Sequence, residues 1–195
     1  MIQPGFESTD PRTGTRLVVI AGATETDGRG WVIEVHCPAA APAAVPEHVH
    51  LTWNETFEIL HGAARYVVGG KAGLARTGDT ISMPAGVTHI HPWNGGSGEM
   101  VYRQTNDFGC ACLDAVDDVL GAFATLNGLA RDGKIGKQGY PKNPLQFAAT
   151  LRTLTKHEGF DAAVPIWAQR AVSASLGRLA EMLGYRGVYQ RYVEE

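Results

Sequence analysis

The sequence predicts a mainly β protein, a sandwich or barrel of short antiparallel strands followed by a helical tail. Two observations predict it. Most of the 24 glycines and 10 prolines lie in the first half, where they punctuate short runs of Val, Ile, Thr and aromatic residues. In the second half the apolar residues recur instead at three- and four-residue steps, the period of a helix. Apolar residues make up 44% of the 195, so a sizeable core can be buried.

Candidate strands run over 16–20, 31–36, 48–52, 55–61, 63–68, 71–75, 79–83, 87–91 and 99–104. Gly69-Gly70 is a hairpin signal between two of them. Leu113, Val116, Leu120 and Phe123 then mark a first amphipathic helix that Gly133 can end. Asn143-Pro144 is a cap and first-turn pair for a second, with Phe147, Leu151 and Leu154 on one face and Gly159 beyond its end. Pro165 can open a third, with Ala168, Val172, Leu176, Leu179 and Leu183 as its stripe and Gly184 as its C-cap. The expected organisation is a β unit over 15–105 and a helical extension over 110–195 that packs on it or on a second subunit. The third helix could instead lie on a membrane surface, although its few polar residues are mixed in sign.

The formal charge of -3, without blocks of like charge, argues against a nucleic-acid stripe. No run of about 18 apolar residues exists, so no membrane span is expected. The N-terminus lacks the apolar segment of a signal peptide, and the expected location is cytoplasmic. Cys37, Cys110 and Cys112 are read as reduced thiols, since an odd count with a Cys-Ala-Cys spacing is no disulfide framework.

The chemistry concentrates in Glu47-His48-Val49-His50-Leu51-Thr52-Trp53-Asn54-Glu55. Strand alternation turns His48 and His50 to one face, and a turn over 51–54 lets Glu55 open the next strand toward the same interior. His89 follows a Pro84-Ala85-Gly86 turn and can enter from a facing strand. Three imidazoles and one carboxylate suit one divalent transition metal, Fe, Mn, Ni, Co, Cu or Zn, with open positions for water, oxygen or substrate. His91 shares a strand face with His89 and is a rival ligand or a base beside the metal. Glu55, released from the metal, is the other candidate base. Phe57, Met83, Trp93 and Tyr102 are candidate pocket residues, with Trp53 and Ile59 in the same class. Each of these is equally an ordinary core residue. Glu58 should face outward, and His36, His61 and His157 read as solvated or helix-terminal.

These residues resemble the cupin superfamily. Its first motif is met by His48, His50, Glu55 and Gly62, and its second by Gly78, Pro84, Gly86 and His89. The final Asn of the second motif is displaced by one residue, to Asn94, so no role carries over to it. The resemblance covers about residues 15–105. It implies a jelly-roll β-barrel (the double-stranded β-helix of RmlC-like proteins), a central metal held by His48, His50, Glu55 and His89, and often a homodimer. The C-terminal half is similar to a group of cupins that end in helices and a Leu-Gly-Tyr-Arg segment, here 183–186. Three functions compete. The first is a metal-dependent enzyme, dioxygenase- or isomerase-like, acting on a small oxygen-rich molecule. The second is a non-catalytic small-molecule binding or sensing module. The third is a barrel that the metal only staples.

Overall fold

The computed structural model describes residues 1–194. Eleven strands form two antiparallel sheets. The first contains β1 (Glu7–Thr9), β2 (Arg16–Ala21), β3 (Gly30–Cys37), β10 (Met100–Asp107), β5 (Asn54–His61) and β8 (Thr80–Met83), in that spatial order. The second runs β11 (Gly159–Asp161), β4 (His48–His50), β9 (His89–Asn94), β6 (Ala63–Val68), β7 (Lys71–Arg76). The sheets face one another as a jelly roll, as two separate ladders rather than one closed barrel.

Alternation builds the core. In β5, Glu55, Phe57 and Ile59 are buried while Asn54, Thr56 and Glu58 are exposed. Glu58 does face outward, toward Arg103 at 3.8 Å. Trp31, Phe57, Ile59, Met83 and Met100 fill the space between the sheets. Gly62 explains itself: its φ is +84°, and a Cβ there would meet the Glu99 carbonyl oxygen at 2.7 Å.

The helices are α1 (Leu113–Arg131), α2 (Pro144–Lys156), α3 (Ile166–Val172) and α4 (Arg178–Met182), with a π-helical turn Ser173–Gly177 joining the last two. Ala115, Val116, Val119 and Leu120 of α1 join the same apolar cluster as the strands. Asn143 caps α2 as expected, its side chain accepting from the amides of Leu145 and Gln146.

Three expectations are corrected. The stripe read for the third helix is not its buried face: Leu176, Leu179 and Leu183 are exposed, whereas Gln169, Ser173, Gly177 and Ala180 are buried. The π turn adds a residue and rotates the register. Gly177 then lets the helix approach α2 closely, since a Cβ there would lie 2.9 Å from Cβ of Arg152. The cysteines are not all free thiols: Cys110 and Cys112 are joined, leaving Cys37 free and buried. His157 is helix-terminal but not solvated, because its ring is bonded to Asp118 at 2.7 Å and is nearly covered.

β11 has no counterpart in the sequence reading. It lies in the helical half, yet it pairs with β4, matching Gly159 to His50 and Asp161 to His48. Leu51 and Ala162 extend the ladder by bonds to Glu158 and Glu47. No helix among the described residues is long and apolar enough to cross a membrane.

Candidate metal centre

Two strands of one sheet face one strand of the other here. β4 and β9 are adjacent, with His48 opposite His89. Alternation along β9 puts His91 on the same face as His89. Glu55 projects from β5 across the interior, and one ligand atom from each of His48, Glu55, His89 and His91 lies within 4.8 Å of the others. Glu55 Oε2 is 2.8 Å from His91 Nε2 and 3.2 Å from His89 Nε2.

The backbone fixes two imidazoles in one tautomer. Nδ1 of His48 is 2.8 Å from the Pro46 carbonyl, and Nδ1 of His89 is 2.8 Å from that of Val87. A carbonyl can only accept, so each Nδ1 carries a proton, and in the neutral imidazole each Nε2 is left with the lone pair. His89 Nε2 is buried without a hydrogen-bond partner, and so is His50 Nδ1. Two orphaned nitrogens beside a buried carboxylate cost free energy unless something binds them. Nitrogen lone pairs and a carboxylate together form the donor set of a divalent transition metal, so the residues present fit the ion expected here.

His50 stands apart from the group of four. Its ring stacks on Trp53, centroids 3.5 Å apart, with Nδ1 3.9 Å from Glu55 Oε2. Trp53 is fixed in turn by its Nε1–H, which donates to the His157 carbonyl at 3.0 Å.

Electrostatics follow from burial. Desolvation lowers His48 well below the ordinary histidine value, and the charges of His91 and His50 add to this. Desolvation also brings His50 down to about 3, with Glu55 opposing and His89 and His91 reinforcing. For Glu55 burial pushes upward, but the nearby His91 and His50 and the hydrogen bond from His91 outweigh it. The carboxyl is held well below its usual range.

Sequence reasoning missed the residues that hold Glu55. Gln104 Nε2 and Asn106 Nδ2 donate to its Oε1 at 2.8 and 2.7 Å, and Gln104 also donates to Asn106 Oδ1. The signal was available: period two along β10 places Met100, Tyr102, Gln104 and Asn106 on one buried face. Asn94 takes no part in the cluster. Its amide donates to the carbonyls of Cys37, Pro38 and Gly98 and ties down the neighbouring loops. Of the pocket candidates, Phe57 lies against His91 with ring centroids 5.0 Å apart, and Tyr102 lies edge-on to Phe57. Met83 is fully buried opposite Glu55, and Trp93 is half-buried two residues beyond His91.

Residues 39–103 match the family described as Cupin domain. Solved structures similar to the chain include a predicted oxalate decarboxylase from Thermotoga maritima, 17% identical, covering 55% of this chain and 93% of that one, TM-score 0.48. The cupin domain of Cnp3 from Schizosaccharomyces pombe is 16% identical over 48% of this chain and 64% of that one, TM-score 0.43. An RmlC-like cupin from Shewanella frigidimarina is 13% identical over 52% and 82%, TM-score 0.40. No curated protein matches the chain.

Proposed function

We propose that this chain, whose residues 39–103 match the Cupin domain family, is a metal-dependent enzyme of the cupin superfamily acting on a small oxygen-rich organic molecule. The observation that carries the reading is the pairing of ligand-ready nitrogens with a proton-bearing pair. His48 and His89 hold Nε2 lone pairs toward Glu55, while His91 shares a proton with the same carboxylate at 2.8 Å.

In this reading His48, Glu55 and His89 are ligands. His50, whose Nδ1 is buried and unpartnered, completes the set, and His91, already bonded to Glu55, is the base. Bound there, a divalent metal supplies Lewis acidity or, if redox-active, an electron path to oxygen. The chain's own residues do the rest. Gln104 and Asn106 hold Glu55 Oε1, so Oε2 stays aimed at His91 and its proton. With Glu55 ionised, that proton rests on His91 Nε2, and a neutral His91 can receive one from an enediol or 1,3-diketone. Phe57, Met83, Trp93 and Tyr102 would exclude water around the reacting carbon atoms.

The test is metal analysis of tag-free protein, followed by an oxygen-uptake and isomerisation screen of enediols and 1,3-diketones. His50→Ala should lose metal, whereas His91→Gln should keep metal and lose turnover. Fully metallated protein that consumes no oxygen and converts nothing, yet is stabilised by one of the compounds, would leave a binding module instead. For the assembly we expect a homodimer, because β7 and β8 end their sheets as open edges. Light scattering should give about twice the 20.9 kDa of one chain.

A further inference from the structure

The metal centre makes no use of the segment that joins β10 to α1. Phe108 in it is buried, Gly109 to Ala111 are exposed and Cys112 is half-buried. Cys110 and Cys112 are bonded across a single alanine, with Cα atoms 5.7 Å apart. Disulfide stabilisation grows with the length of the loop closed, and here the loop is minimal, so this bond is a poor staple for the fold. It is better built for exchange. Cys110 offers an accessible sulfur. Cys112 is the N-cap residue of the 19-residue α1 and makes no side-chain cap bond, so its sulfur sits where free amides and the helix dipole favour a thiolate. A sulfur whose thiolate is stabilised is the better leaving group.

The segment is also clamped to the interior. The amides of Phe108 and Cys112 donate to the carbonyls of Arg29 and Gly28, each at 2.8 Å. The Phe108 ring stacks on Trp53, centroids 4.9 Å apart, and Trp53 stacks on His50.

We propose that Cys110 and Cys112 are a reversible dithiol–disulfide couple that exchanges with small-molecule thiols, and that Phe108 passes its state to Trp53. A thiolate attacks Sγ of Cys110, and the Cys110–Cys112 bond breaks. Cys112 leaves as a thiolate, and the attacker is held in a mixed disulfide. A second thiolate attacks the sulfur of the first, releasing the oxidised small disulfide and Cys110 as a thiolate. The protein gains two electrons, and two protons from solvent complete the dithiol. Cys37 stays out, since it is buried and burial pushes its thiol up to about 11.

The experiment equilibrates the full chain in graded reduced and oxidised glutathione, quenches with acid, tags free thiols and weighs the intact protein. Cys110 and Cys112 should change state together along one titration. Cys112→Ser should accumulate a glutathione adduct on Cys110. Tags on both cysteines at every ratio, or on neither under excess dithiothreitol, would overturn the couple. Tryptophan emission should shift between the two states of the wild type, and the shift should vanish in Trp53→Phe. An emission that ignores the redox state would overturn the coupling to Trp53.

Discussion

Acidification of the metal-free protein should expose how the site is held. His50 is lowered from 6.5 to about 3 in the folded chain, chiefly by burial. A histidine with a depressed folded value stabilises the fold fully above its unfolded value, and this is lost as pH falls below 6.5, because only the unfolded chain takes the proton. Between about pH 7.5 and about pH 5 the unfolded chain gains nearly one proton-equivalent at this site and the folded chain almost none, worth about 2 kcal/mol. His48 acts in the same direction. The carboxyl of Glu55 also contributes stability lost toward acid, but only below its ordinary value of 4.5, in a separate window. Urea unfolding of wild type and His50→Gln at both pH values measures the difference. The wild type should lose about 2 kcal/mol more than the variant over that interval. Equal losses in the two proteins would refute the claim that His50 is held neutral by burial.

Other outcomes follow from the same contacts. Asn106→Leu removes one of the two donors to Glu55 Oε1 and should weaken metal binding roughly 10–100-fold by chelator competition, with the fold retained in circular dichroism. Adding metal to about 100 times its dissociation constant should raise unfolding free energy by about 2.7 kcal/mol, read as a concentration-dependent melting temperature. Gly62→Ala combines a left-handed backbone with a clash on the Glu99 carbonyl and should cost about 1–3 kcal/mol in urea unfolding. Asn143→Ala should cost about 1 kcal/mol by losing the cap of α2.

The strands were legible because period two and Gly/Pro punctuation are local signals; His48 and Glu55 could be placed from them before any fold was known. Three features were not legible, and each depends on distant residues. β11 is three residues long and becomes a strand only because β4 offers a free edge. The leucines of the third helix's apolar stripe, at 176, 179 and 183, point outward, because small residues at 177 and 180 settle which face meets α2. Gln104 and Asn106 read as ordinary polar strand residues until Glu55 is seen across from them. His91 could be named from its spacing to His89, but its partner in Glu55 could not.

The short ladder between β11 and β4 has a consequence for anyone who would trim this protein. A cut at residue 110 looks harmless in sequence, yet it would strip one neighbour from the strand that carries His48 and His50. That strand would become a bare border, ready to pair with any other chain. The tail is stitched into the wall of the candidate metal chamber, so force applied to the helices reaches the imidazoles through three residues of backbone.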